Sequence, residues 1–215
     1  MLGFATAIRT LFSGSCRACA APLPVGDRAP MCPTCAIALV GCGQWQDNAT
    51  WPAVGAFAYG GAMAELIGRM KIGGHLLDLT PLAAKMQPLL AELVGNKDVH
   101  LIAVPPQLQR LRRRGLHVPD LLTQQLVARS RRQTFALQRL DQAEMRRESR
   151  SILPEFAARI PGRGRLAVVI DDVITTGATL KVACTALQKA DWRVLGAVCL
   201  ADARPQAMHF ALANG

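Results

Sequence analysis

Aromatic residues are scarce: phenylalanine, tryptophan and tyrosine make up 5% of the 215 residues, and there is one tyrosine. The core must therefore be filled by Leu, Val, Ile and Ala, and a nucleic-acid surface of stacked rings has little to be built from. Charged residues are few at 19%, against 51% hydrophobic, which excludes a disordered chain. No G-x-x-x-x-G-K run occurs, so a Walker phosphate loop is excluded. Residues 29–46 carry no charge, but two prolines and three cysteines interrupt them, and they do not read as a membrane span. The opening MLGFATAIRTLF is broken by Arg9 and lacks a small-residue cleavage site. Leu2, Ile8, Leu11 and Phe12 instead read as one face of a short helix. A cytoplasmic chain with reduced thiols is expected.

Lysine is missing between Leu101 and Arg165, where 14 arginines face 5 acids, which accounts for nearly all of the net charge of +10. Guanidinium binds phosphate bidentately and stays charged, so a bunched arginine field suits a phosphate-bearing partner. The candidates for nucleic-acid contact are Arg110, Arg112, Arg113, Arg114, Arg146, Arg147 and Arg150. The alternative is a solvated basic surface.

The pattern divides near residue 50. Residues 1–50 hold five of the seven cysteines and many Pro and Gly. From residue 51 to 215 the pattern is regular α/β. Strands are expected at Val54–Tyr59, Leu101–Val104, Thr134–Leu137, Leu166–Ile170 and Arg193–Leu200, and helices at Met63–Lys71, Leu76–Leu93, Pro119–Arg129 and Ala178–Lys189. Arg139–Gly164, polar and ending in Pro-Gly-Arg-Gly, reads as a mobile connection. Strands alternating with helices predict a parallel sheet flanked by helices.

The most informative string is LAVVIDDVITTGAT, Leu166 to Thr179. Five apolar residues form a buried central strand. Asp171 and Asp172 stand at its carboxyl end, the edge where open α/β sheets bind ligands. Thr175, Thr176, Gly177, Ala178 and Thr179 then open a helix, whose free N–H groups and partial positive charge attract an anion. Carboxylates repel phosphate but accept hydrogen bonds from sugar hydroxyls. The residues thus describe a ribose with a phosphate at one end. The alternative is an acid pair that merely caps the helix. The string resembles the phosphoribosyl-diphosphate (PRPP) signature of type I phosphoribosyltransferases. That resemblance implies Asp171 and Asp172 on the ribose hydroxyls, residues 175–179 on the 5-phosphate, and Mg²⁺ carried by the diphosphate. It also implies that Val104, Pro105 and Pro106, at the end of an adjacent strand, face the diphosphate. A cis bond is open to this turn, and a basic surface turn is the alternative.

Cys16-x₂-Cys19 and Cys32-x₂-Cys35 form two knuckles twelve residues apart, which suits four-thiolate structural Zn²⁺. A disulfide pair or a redox CxxC remain alternatives. Cys184 and Cys199 read as packing residues, and so does Cys42, which is also a fifth candidate ligand.

Taken together the chain resembles the ComF family, in which a zinc-finger-like region precedes a phosphoribosyltransferase domain. The resemblance rests on the knuckles, on Tyr59-Gly60-Gly61 through Leu66-Ile67 to Lys71, on Val104-Pro105, on Arg114-Gly115, on Gln142, Met145 and Arg150, and on Ile170 to Leu180. It departs at Leu116-His117-Val118, where the family has Phe-Asn-Gln, and at Leu153, where it has Asn. The resemblance implies a role in DNA uptake and natural transformation, with single-stranded DNA and the uptake machinery as partners. The alternative is a transferase that moves phosphoribosyl from PRPP to an acceptor, with Asp171 and Asp172 stabilising the cationic sugar and the arginine-rich segment 139–150 closing as a lid.

Overall fold

The computed structural model describes residues 14–16, 18–24, 31–43, 45–48, 51–72, 79–107, 111–112, 116–127, 132–140 and 155–204. The expected N-terminal helix lies outside these residues. So do Leu76 to Asp78 of the second expected helix, Gly115, Gln142, Met145, Leu153, and six of the seven arginine candidates: Arg110, Arg113, Arg114, Arg146, Arg147 and Arg150.

Among the described residues the elements run α1 (Pro33–Ile37), β1 (Gln46–Asn48), β2 (Trp51–Ala58), α2 (Gly61–Ile72), α3 (Thr80–Val94), β3 (His100–Ala103), α4 (Val118–Val127), β4 (Arg132–Gln133), β5 (Leu137–Arg139), β6 (Phe156–Ala158), β7 (Leu166–Ile174), α5 (Ala178–Lys189) and β8 (Arg193–Asp202). Six strands form one sheet in the order β1-β2-β8-β7-β3-β4. All its pairs are parallel except β1 with β2. The apolar run of β7 is buried on both faces because helices cover both. Val168 and Ile170 pack toward α3 and α4, while Ala167 and Val169 pack toward α5. The helices turn matching stripes inward: Leu82, Met86, Leu90 and Val94 on α3, and Leu180, Ala183, Cys184 and Leu187 on α5.

Three expectations are corrected. The single strand expected at Thr134–Leu137 is two, β4 in the main sheet and β5 in a separate hairpin with β6. Thr134 N–H still bonds Leu101 O at 3.0 Å, and the chain then leaves the sheet. The expected mobile connection Arg139–Gly164 contains β6, fastened where Arg159 N–H donates to Ala136 O at 2.7 Å. Finally, the acids do not follow the central strand but belong to it. Acids are poor strand formers, so the pattern suggested an end at Ile170. However, β8 runs on to Asp202 and keeps pairing, with Asp171 opposite Cys199 and Ile174 opposite Asp202. Asp202 can be buried there because Arg204 covers it, donating from Nε to Oδ1 at 2.9 Å and from a terminal nitrogen to Oδ2 at 2.5 Å.

The described residues among the first fifty lie against the sheet edge. Cys42 and Gly43 N–H donate to Ala56 and Gly55 O, both at 3.0 Å, and Cys16, Ala18, Leu23 and Met31 join the main core. Gly55 is required where β2 meets β8, since a Cβ there would sit 2.7 Å from Ala201 and Asp202 atoms.

The site is positioned by a mismatch in strand length. β3 ends at Ala103 opposite Ile170, and Val104 N–H makes a last bond to Ile170 O at 2.9 Å. Pro105 and Pro106 have no N–H to continue the ladder. β7 runs four residues further, held on its other side by β8, so from Asp171 onward its edge toward β3 is uncovered. The chain leaves β3 toward β4 and leaves β7 toward β8, in opposite directions. This is the topological switch point at which open sheets bind ligands.

Candidate functional site

A cavity of about 350 Å³ occupies that notch, within the range of small-molecule sites. Val104, Pro105, Pro106 and Gln107 line one wall, and Asp171, Asp172, Thr175 and Thr179 the other. The strand-end turn and the acid–hydroxyl loop therefore face one space. Three further polar side chains reach it: Lys71 from the last turn of α2, His117 from just before α4, and Arg139 from β5. All bonds in the described segments are trans, the Val104-Pro105-Pro106 turn included.

The loop after β7 is built around Gly177, whose φ of 75° lies in the left-handed region. An L side chain is strained there, and glycine is not. The turn lets α5 start beside the cavity, with Gly177, which has no side chain, at its N-cap position. The acid pair is therefore not a helix cap. The hydroxyl of exposed Thr176 accepts the Ala178 N–H at 3.3 Å, while Thr175 and Thr179 line the cavity.

The two acids are treated differently. Asp171 is buried, and its Oδ1 accepts the Asp172 N–H at 2.9 Å. Burial pushes its carboxyl well above the usual carboxylate range, and the neighbouring Asp172 charge pushes it further; the Asp172 N–H and Lys71 oppose this. Asp172 is partly open, and its Oδ2 lies 2.5 Å from Lys71 Nζ. Cys199, beside them in β8, is a buried thiol pushed far up by burial and then by the two acids. Cys184 is likewise pushed up to about 12 by burial. Neither thiol is poised to react.

Arg139 is anchored within the wall. Its Nε donates to Pro105 O at 3.3 Å, and its guanidinium sits 5.1 Å from the centre of the Phe156 ring. His117 Nδ1 approaches Asp120 Oδ2 to 2.8 Å without hydrogen-bond alignment, so the contact is ionic when the ring is protonated. Sequence pattern assigned Lys71 no role at the site, and it placed Arg139 in a closing lid, whereas Arg139 is fastened in the cavity wall. A lysine in a helix's last turn ordinarily serves the helix dipole, and no local signal shows that Arg139 folds back on the turn after β3. Of the arginine candidates Arg112 is described; it is exposed and does not line the cavity.

The cysteine knuckles converge. The Sγ atoms of Cys16, Cys19, Cys32 and Cys35 all lie within 4.8 Å of one another. Cys19 and Cys32 sulfurs are 3.8 Å apart, too far for a disulfide. That spacing is what a tetrahedral ion with Zn–S bonds of about 2.3 Å requires. Burial raises the Cys16 thiol, but backbone N–H groups of Cys19, Cys32 and Ala18 outweigh it and lower the value to about 6. Cys35 is pushed up to about 12, first by the hydrogen bond to Cys19 and then by burial. Four thiols that converge in this way can hold a tetrahedral divalent cation. Cys42, though buried, lies outside the group. No described helix is long and apolar enough to cross a membrane.

No curated protein matches the chain. Two solved structures similar to it are the tetragonal and orthorhombic crystal forms of a hypoxanthine phosphoribosyltransferase from Staphylococcus aureus. Each is 15% identical with a TM-score of 0.40, over 60% and 59% of this chain. The chain spans 65% and 66% of the length of those two structures. The phosphoribosyl transferase domain matches residues 94–209, from the end of α3 to beyond β8, and so includes both loops that face the cavity. As that stretch is more than half of its length, the chain belongs to the phosphoribosyl transferase domain family.

Proposed function

We propose that this protein binds PRPP with Mg²⁺ in the cavity between β3 and β7. Asp171 and Asp172 take the ribose hydroxyls. Residues 175–179 and the start of α5 take the 5-phosphate, and the Val104-Pro105-Pro106 turn faces the diphosphate, which carries the Mg²⁺. The observation supporting this most strongly is that one cavity joins the acid pair, the Thr175–Thr179 loop at a helix start and the opposing turn. In the same proposal the chain divides near residue 50, with Cys16, Cys19, Cys32 and Cys35 holding a structural Zn²⁺ that stabilises a segment too small to fold alone. The ComF-like sequence pattern supports a cytoplasmic DNA-uptake protein that grips single-stranded DNA through its arginines. Exposed Arg112 is available for that role.

A second reading, transfer of phosphoribosyl to an acceptor, is favoured by the His117–Asp120 pair at the cavity wall. A neutral imidazole there can take a proton from an acceptor as the acceptor bonds to C1, the C1–oxygen bond breaks and diphosphate leaves, and the Asp120 carboxylate then pairs with the protonated ring.

Isothermal titration of PRPP with Mg²⁺ into metal-analysed protein tests the proposal, with and without single-stranded DNA. Wild type should bind, and the Asp171→Asn/Asp172→Asn double variant should not. Normal binding by the double variant would remove the site assignment. DNA binding without PRPP binding would leave the fold as a nucleic-acid scaffold.

A further inference from the structure

Lys71 enters the cavity from α2, and its Nζ lies 2.5 Å from Asp172 Oδ2. An ordinary surface pair joins two side chains in open water and has no consequence for binding. This pair lies inside the cavity, on the same walls as Asp171, Thr175, Thr179 and the Val104–Pro106 turn. Both members remain reachable, with side chains 30% and 16% exposed. Asp172 is also the acid that the reading above gives to the ribose. A carboxylate oxygen held by an ammonium cannot accept a sugar hydroxyl at full strength, so the sugar and Lys71 compete for it. Once displaced, the ammonium stays tethered to α2 at the cavity wall and requires another anion. Arg139 does not relieve that demand, being fastened to Pro105 O and the Phe156 ring. A ligand that carries both a ribose and a diphosphate supplies the missing anion. Ribose 5-phosphate supplies only the sugar and the terminal phosphate.

We propose that Lys71 sets the preference of the site for diphosphate-bearing over diphosphate-free pentose phosphates. It holds Asp172 while the cavity is empty, and exchanges that carboxylate for the ligand's diphosphate when the ribose binds. This inference rests on the PRPP reading of the cavity. It differs from a merely structural role because removing Lys71 must weaken PRPP without weakening ribose 5-phosphate.

The experiment measures dissociation constants for PRPP and for ribose 5-phosphate, both with Mg²⁺, on wild type, Lys71→Met and Lys71→Arg. Lys71→Met should weaken PRPP about tenfold or more, the loss of one charge-assisted hydrogen bond. The same variant should leave ribose 5-phosphate unchanged or tighten it several-fold, since its competitor for Asp172 is gone. Lys71→Arg, keeping the charge, should retain most of the preference. If Lys71→Met does not melt with wild type, Lys71→Gln replaces it, as a polar chain tolerated at a partly open position. An equal loss for both ligands, or no change in either, overturns the inference while leaving the PRPP site standing. A wild-type protein that binds neither ligand overturns the PRPP reading itself and the inference with it.

Discussion

Replacing Asp171 by Asn removes an acid whose ionisation burial and a neighbouring acid resist. The amide oxygen can still accept the Asp172 N–H that Asp171 Oδ1 takes at 2.9 Å, and the Lys71–Asp172 pair is untouched. Relief of an ill-compensated buried polar group is of the order of 1–3 kcal/mol. We expect about 1–2 kcal/mol of added stability at neutral pH, or roughly 2–8 °C in Tm for a chain of this size. The pH dependence carries the argument. An unfolded Asp titrates near about 3.9, whereas folded Asp171 keeps its proton to higher pH. Between the two values the folded state binds the extra proton, so wild-type stability falls as pH rises through that window and stays lower above it. Asn has no such dependence. Differential scanning fluorimetry from about pH 3.5 to 8 should show a variant-minus-wild-type difference near zero at the acid end and growing as pH rises. Titration of groups elsewhere in the fold shifts both proteins alike and drops out of the difference. The same variant should bind PRPP roughly 10- to 100-fold more weakly, because the amide replaces one of the two carboxyl oxygens that can accept from the sugar hydroxyls with an N–H donor. A variant that melts below wild type at neutral pH, or a difference flat across the range, would refute the account of Asp171 as a strained acid kept for binding.

Metal analysis should find one zinc per chain, and Cys32→Ser should lose it and melt several degrees lower; a metal-free wild type of equal Tm contradicts the cluster's role. Gly177→Val forces a β-branched residue to a φ of 75°, which costs on the order of 1–2 kcal/mol, and should weaken PRPP binding more than tenfold by displacing the start of α5. Normal PRPP affinity in that variant would show that the loop does not hold the phosphate. Charge reversal across Arg112–Arg114 should lower single-stranded DNA affinity and flatten the slope of log K against log salt by about 0.7 for each phosphate no longer neutralised. An unchanged slope would mean that these arginines do not touch the backbone.

The elements of the site that lie close together in the chain were legible. The apolar run of β7, the acid pair, Gly177 and the start of α5 form one short string, each part with a local physical signature. The turn after β3 was legible too, because two prolines stop a ladder wherever they occur. What could not be read depends on partners far away. β7 outruns the point where its acids suggest an end because β8 extends to Asp202, and Asp202 can be buried only because Arg204 binds it. β6 has three residues and no clear alternation, and it exists because Leu137–Arg139 pairs with it. Lys71 is a solitary lysine a hundred residues from its acid, and a lone basic residue in a helix's last turn has a sufficient local explanation.

The acid pair raises a difficulty that the same distant contacts resolve. Two carboxylates beside a phosphate-bearing ligand should repel it, and each other. In this protein the repulsion is reduced in two ways: Asp171 is driven toward its neutral form by burial, and the charge of Asp172 is answered by Lys71. The empty cavity therefore presents much less negative charge than its two acids imply, while both remain able to accept hydrogen bonds from a sugar. Combining Asp171→Asn with Lys71→Met joins the two devices. If they act independently, the effects on PRPP affinity add; if they share the task of neutralising one acid pair, the double variant departs from the sum. The sharing follows from the geometry: Lys71 opposes the rise at Asp171 and pairs with Asp172, so removing it leaves Asp171 harder to ionise and Asp172 unanswered at once.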